Sequence, residues 1–260
     1  MTVTSEEIQA RVAGQTIPSE FLKTVRAHGT TTALRWRNED ETWGEWTYAD
    51  YADRVARAAA GLRELGVRPG QRVVLMMRNI PEFHVVDMAA AFCGATPVSI
   101  YNSSSPEQVE YLVNHCDAVL GLVEDSGFLE RFLKVRSDLK TVQHLGILRD
   151  PDGLAGPDVF TYDSLLAHEP IDLEAGAALC TPDQIATMIY TSGTTGPPKG
   201  VMLTHNNIAW TVEALKSTIQ YDDFVGKRLV SYLPMAHIAE RMTSHYQGAF
   251  VGYELSLIHI

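Results

Sequence analysis

Two kinds of hydrophobic spacing alternate along this chain. Between Thr47 and Gly66 the apolar residues Tyr51, Val55, Ala58, Ala59, Leu62 and Leu65 recur every three or four positions, which places them on one face of a helix. Thr47 stands at the N-cap, Asp50 occupies the capping-box position in its shorter acidic form, and Gly66 ends the helix. The runs Arg72 to Met77, Thr96 to Tyr101, Ala118 to Val123 and Thr141 to Ile147 are instead short and apolar, as strands are. Between them lie helix patterns at Pro81 to Cys93, with proline in the first turn, after Ser105-Pro106-Glu107-Gln108, with a Ser cap and Gln where the box wants it, and at Gly127 to Val135. Repeated strand-helix-strand units predict a parallel sheet covered by helices, because parallel strands need crossovers of this length.

The flanks read differently. Ala33 to Arg37 and Thr42 to Trp46 border the acidic turn Asn38-Glu39-Asp40-Glu41 and predict a β-hairpin. A loop rich in Gly, Pro and Asp, Arg149 to Asp158, marks a boundary or a surface excursion. Asp158 to Glu169 reads as a strand-turn with a short helix, and Glu174 to Pro182 as a linker. A second series of elements begins at Ile185. The expected plan is an N-terminal segment with the hairpin over 1–46, a first α/β subdomain over 47–180, the start of a second over 181–254, and a tail over 255–260.

Composition narrows the partners. A formal net charge of -11 and a pI near 5.2 argue against a broad nucleic-acid surface, so an anionic ligand must be held by a local site. Cys93, Cys116 and Cys180 are far apart, show no CxxC pairing and no zinc spacing, and read as reduced core thiols. The stretch Met1 to Ala10 lacks the basic start and apolar centre of a signal peptide. Val85 to Ile100 is interrupted by Asp87, Gly94 and Pro97 and is too short to span a bilayer. The expectation is a cytoplasmic protein, with peripheral membrane contact and oligomeric state left open.

The most informative segment follows Ile185 to Thr191, which reads as a buried strand. It runs into Ser192-Gly193-Thr194-Thr195-Gly196-Pro197-Pro198-Lys199-Gly200. Glycines let backbone N–H groups approach a polyphosphate, the hydroxyls from Thr191 to Thr195 add donors, and Lys199 supplies a positive charge. This is not the Walker loop, which needs Gly-Lys-Ser/Thr opening a helix; here two prolines precede Lys199 and Val201-Met202-Leu203 continues as a strand. The loop therefore joins two strands, and Thr204 caps a helix from His205 to about Gln220. Leu229 to Leu233 is a further short strand before Pro234-Met235-Ala236-His237-Ile238-Ala239-Glu240-Arg241-Met242. Taken alone, a histidine such as His237 is more often a satisfied structural residue than a catalytic one, and Glu240-Arg241 is compatible with an ordinary solvated helix start.

Tyr190 to Gly200, YTSGTTGPPKG, resembles the signature loop of the adenylate-forming superfamily of acyl-CoA ligases, luciferases and peptide-synthetase adenylation domains. The stretch YLPMAHIAERM resembles the second signature of its long-chain fatty acyl-CoA synthetases, and the likeness extends back to about Thr42. The resemblance implies an α/β fold, the N-terminal domain of an adenylate-forming enzyme, with parallel sheets flanked by helices, a truncated second subdomain and an absent C-terminal domain. It implies a ligase that uses ATP and Mg²⁺ to turn a fatty acid into acyl-AMP and passes the acyl group to coenzyme A. In that family pattern Ser192, Gly193, Thr194, Thr195 and Gly196 hold the β and γ phosphates, Lys199 offsets their charge, Thr191 helps order Mg²⁺, and His237 orients the acid. Medium-chain or aryl acids are the alternative substrates, and a non-catalytic nucleotide-binding protein is the alternative from another class. Family members are longer than this chain, so the adenine motifs, the acidic Mg²⁺ partner, the hinge and the C-terminal catalytic lysine are expected beyond Ile260, and little activity is expected of these residues alone.

Leu255-Ser256-Leu257-Ile258-His259-Ile260 matches one reading frame of a transposon-end adaptor, CTG TCT CTT ATA CAC ATC. The tail is therefore expected to be non-native after Glu254, against an ordinary alternating strand.

Overall fold

Capping explains where most helices of this computed structural model begin; it describes residues 3–38, 40–191, 196–219 and 224–258. The chain starts with α1 (Ser5–Arg11) and α2 (Ile17–His28), each opened by a reciprocal capping box, Thr4 with Glu7 and Thr16 with Ser19. Then follow β1 (Thr32–Arg37), β2 (Trp43–Thr47) and α3 (Tyr48–Glu64). Thr47 and Asp50 cap α3 reciprocally, and Gly66, at φ +86°, takes the left-handed conformation just past the helix end.

The series β3 (Arg72–Met76), α4 (Pro81–Phe92), β4 (Thr96–Ser99), α5 (Pro106–His115), β5 (Ala118–Val123), α6 (Ser126–Lys134), β6 (His144–Ile147) and β7 (Val159–Thr161) forms the expected parallel sheet. Its order is β4-β3-β5-β6-β7, with every neighbour parallel. Both faces are covered. Val73 and Leu75 of β3 belong to one apolar cluster with α3 and α4, while Val74 and Met76 belong to another with α5 and α6. Leu62, fully buried on α3, is the kind of position where truncation to alanine costs about 2–5 kcal/mol.

After β7 come α7 (Tyr162–Leu166) and α8 (Leu173–Ala177). The stretch read as a linker from Glu174 thus contains a short helix: Asp172 caps it, and Gly176 packs against Phe92 closely enough that a Cβ would lie 3.0 Å from its ring. Next are β8 (Ile185–Thr191) and β9 (Lys199–Thr204), an antiparallel pair, and α9 (His205–Thr218), capped by Thr204 and Asn207. Two threonine hydroxyls bind β8 to the first sheet: Thr96 Oγ1 donates to the Ile185 carbonyl and Thr187 Oγ1 to the Pro97 carbonyl, each at 2.9 Å. The chain continues with β10 (Arg228–Ser231), α10 (Ile238–Glu240), a wider π-type turn (Arg241–Tyr246), α11 (Gln247–Val251) and β11 (Glu254–Leu257).

The β1-β2 hairpin is paired into a larger sheet. A second sheet runs β10-β11-β1-β2, with β1 antiparallel to β2 and parallel to β11, so Leu34 faces Leu255 across the whole sequence. Residues 254–257 form an inner strand with Leu255 and Leu257 buried, which is the geometry of the ordinary-strand alternative. The adaptor proposal concerns codons, and re-amplifying the source gene across the Glu254 codon decides it. β10 lies at the sheet's edge, and Val230, Tyr232 and Leu233 are exposed there. Among the described residues no helix is long and apolar enough to cross a membrane, and Cys93, Cys116 and Cys180 are free thiols.

Candidate active site

β8 is buried through Ala186 to Tyr190 and surfaces at Thr191. Its antiparallel register places Thr191 opposite Lys199, so the two ends of the glycine-rich loop are held side by side. Ser192, Gly193, Thr194 and Thr195 lie outside the described residues. Gly196 has φ +86°, a left-handed conformation that a side chain would strain, and Lys199 is exposed. As expected, the segment lies between two strands, β8 ending at Thr191 and β9 beginning at Lys199.

α5 tethers both arms of this loop. Tyr111 Oη donates to the Pro198 carbonyl at 3.0 Å, on the arm leading to Lys199. On the other arm the buried Tyr190 hydroxyl lies 2.8 Å from His115 Nδ1 and 3.4 Å from the Leu112 carbonyl. Burial pushes the Tyr190 hydroxyl well above its ordinary pKa, so it stays protonated.

His237 comes from a distant part of the chain and meets the loop in one cleft of about 530 Å³, lined by Tyr101, Ser104, Gln108, Thr191, Pro198 and His237 among others. The imidazole is exposed and caps α10, its Nδ1 accepting the Ala239 N–H at 3.2 Å. Thr191 and His237, far apart in sequence, thus share one cavity, while Lys199 stands beside it and does not line it. The arrangement offers hydroxyls, an imidazole and a nearby ammonium group to an anionic ligand of nucleotide size.

Behind His237 lies a polar cluster that the sequence pattern did not suggest. Glu240 and Arg241 are not a solvated helix start; they are 2% and 0% exposed. Arg241 Nη2 donates to Asp87 Oδ2 at 2.5 Å and to Tyr246 Oη at 2.6 Å. His245 Nε2 lies 2.8 Å from Asp87 Oδ1, and its Nδ1 lies 2.8 Å from His84 Nδ1. Burial alone would raise the Asp87 carboxyl, but Arg241 and His245 outweigh it and hold Asp87 below the usual carboxylate range. Burial drives His84 well below the ordinary histidine value, and the neighbouring His245 adds to the effect. The available signal was Asp87 itself, a lone carboxylate in the otherwise apolar Val85 to Cys93 run, which asks for a buried cation.

Comparison with known proteins identifies the family and the fold. The family model for AMP-binding enzymes matches residues 21–259. A Xenopus laevis protein named long-chain-fatty-acid–CoA ligase ACSBG2 is 33% identical over 245 residues, covering 90% of this chain and 33% of that protein. The anthranilate CoA ligase AuaEII, solved with anthranoyl-AMP, superposes with a TM-score of 0.83 at 20% identity over 94% of this chain and 45% of its own. A Mycobacterium tuberculosis fatty acyl CoA synthetase gives 0.77 at 24% identity over 94% of this chain and 44% of its own. These two likenesses show the fold, and the chain spans about a third of the length of the curated relatives it matches. With the family model covering most of its length, this chain belongs to the AMP-binding enzyme family.

Proposed function

We propose that the protein carrying this chain activates a long-chain fatty acid with ATP, forming acyl-AMP, and transfers the acyl group to coenzyme A. The observation that carries the reading is the single cleft in which Thr191, at the mouth of the glycine-rich loop, meets His237. The names of the relatives, long-chain-fatty-acid–CoA ligases, favour the long-chain acid over shorter or aryl acids.

The chemistry needs positioning and neutralisation of charge. A carboxylate oxygen attacks the α-phosphorus of ATP, the bond to the bridging oxygen breaks, and pyrophosphate leaves with the electron pair. The thiol sulfur of coenzyme A then attacks the acyl carbon and AMP departs. In this reading the amides and hydroxyls of Ser192 to Gly196 hold the β and γ phosphates, Lys199 offsets the charge that grows on the leaving pyrophosphate, and His237 orients the acid. Mg²⁺ would be held by the Thr191 hydroxyl together with phosphate oxygens. That donor fits a hard cation that keeps several waters and takes few protein ligands, and the ion would supply further charge neutralisation. Among the described residues no cluster of three or more His, Cys, Asp or Glu offers a metal cage.

Pyrophosphate exchange by the full-length protein, dependent on a long-chain acid, tests the reading. Lys199→Ala should lower the exchange rate on the order of a hundredfold, the loss seen when one charge-stabilising donor is removed. An unchanged rate would take Lys199 out of its role.

A further inference from the structure

The loop that presents His237 is closed at its neck by a buried carboxylate. Beyond β10, Leu233 and Glu240 come back together because Glu240 Oε2 accepts the Leu233 backbone N–H at 3.1 Å. Its Oε1 accepts the Ser244 hydroxyl at 2.5 Å. The other side of Leu233 is held too: its carbonyl accepts from Asn79 Nδ2 at 2.8 Å, and the same amide donates to Ser231 Oγ at 2.8 Å. Inside the neck Met235 and Ala236 are buried as apolar plugs, and His237 alone of these three is exposed, on the wall of the cleft.

Burying a carboxylate is costly unless it is paired, and the adjacent cation does not pair with this one, since Arg241 turns to Asp87. Glu240 is met by two neutral donors, one of which is the backbone at the far side of the loop. Such an arrangement contributes geometry more than stability. We propose that Glu240 is a positioning residue for the acid subsite: by tying Leu233 to the last residue of α10 it sets the height and direction at which His237 enters the cleft it shares with Thr191. Glu240 does not touch the substrate and acts through His237. The inference rests on the acid-orienting role given to His237 under the proposed function.

The test is steady-state kinetics on the full-length protein with the acid and ATP varied separately. Glu240→Ala should raise the KM for a long-chain acid on the order of tenfold to a hundredfold, the effect of misplacing a group by about an ångström. The KM for ATP should stay as it was. Glu240→Gln, which keeps an oxygen for the Leu233 N–H, should recover most of the loss, and Ser244→Ala, which leaves the neck closed, should behave as the parent. Should Glu240→Ala fail to fold, Glu240→Asp, one methylene shorter and still a carboxylate, carries the same expectation. The deciding measurement is the cycle with His237→Ala, in whose background a Glu240 substitution should add no further loss. Losses that add, or KM values for both substrates rising together, overturn the positioning role while leaving the role of His237 standing. A His237→Ala variant with an unchanged acid KM overturns both.

Discussion

The two walls of the cleft are held in opposite ways. The strand ends Thr191 and Lys199 on either side of the loop are exposed, and two tyrosine hydroxyls tie the arms to α5, Tyr111 of α5 donating to the Pro198 carbonyl and Tyr190 meeting His115 of α5. The wall that carries His237 is fastened from inside, by a fully buried Arg241 gripping Asp87 at a sequence separation of 154. A wall proposed to bind through backbone amides and hydroxyls is tethered at its two ends. A wall that must aim one imidazole needs a rigid support, and here charged groups in the core supply it. Substitutions in the first should therefore alter function at little cost in stability, and breaking the Asp87–Arg241 pair behind the second should lower stability.

The largest effect separates the walls outright. Asp87→Ala leaves the Arg241 guanidinium buried with the neutral Tyr246 hydroxyl as its remaining side-chain hydrogen-bond partner among the described residues, and breaking a buried pair in this way costs about 3–5 kcal/mol. Lys199→Ala, at an exposed position, should stay within about 0.5 kcal/mol of the parent in urea unfolding. Equal unfolding midpoints for the two variants would erase the contrast.

A second, intermediate effect sharpens it through pH. Folded His84 has a pKa well below 6.5, chiefly through burial, with Asp87 opposing and His245 and Arg241 adding to the depression. Burial holds His205, whose Nδ1 accepts the Ile17 N–H at 3.3 Å, at about 4. The unfolded chain protonates its histidines near pH 6.5, so below that value it binds more protons than the folded one. Stability is thus complete above about pH 6.5 and falls as pH drops, by up to about 1.4 kcal/mol per pH unit for each of the two histidines, with the His205 part spent by about pH 4. Urea midpoints measured from neutral to mildly acid pH should decline, and His205→Asn, which keeps an acceptor for Ile17, should flatten the decline. Constant midpoints would contradict the buried neutral state of both rings.

The same contrast explains what could be read in advance. The capping boxes Thr47 with Asp50 and Ser105 with Gln108 span three positions, so their signal is local, and the helices and parallel strands between them were legible with it. Thr191, Gly196, Lys199 and His237 could be singled out as candidates because each lies within a short motif. α1 and α2 carry the same kind of signal in Thr4 with Glu7 and Thr16 with Ser19. The order β10-β11-β1-β2 and the Asp87–Arg241 pair depend on partners from opposite parts of the chain, and spacing within one element carries no information about them.

The smallest expected effect probes the tether on the exposed wall. Tyr111→Phe removes one hydroxyl that donates to the Pro198 carbonyl and leaves the ring in place. A neutral hydrogen bond of this kind contributes about 0.5–1.5 kcal/mol, which corresponds to roughly a two- to tenfold change in an equilibrium constant. If the bond serves to hold the Pro197-Pro198-Lys199 arm against the phosphates, that change should appear in the KM for ATP, with the KM for the acid unmoved, because His237 hangs from the other wall. Unfolding stability should shift by no more than the same amount, since the freed carbonyl belongs to a partly exposed proline that water can reach. A Tyr111→Phe enzyme in which the acid KM rises and the ATP KM does not would mean that the two walls are coupled through α5, and that the division between a tethered loop and a braced imidazole is drawn in the wrong place.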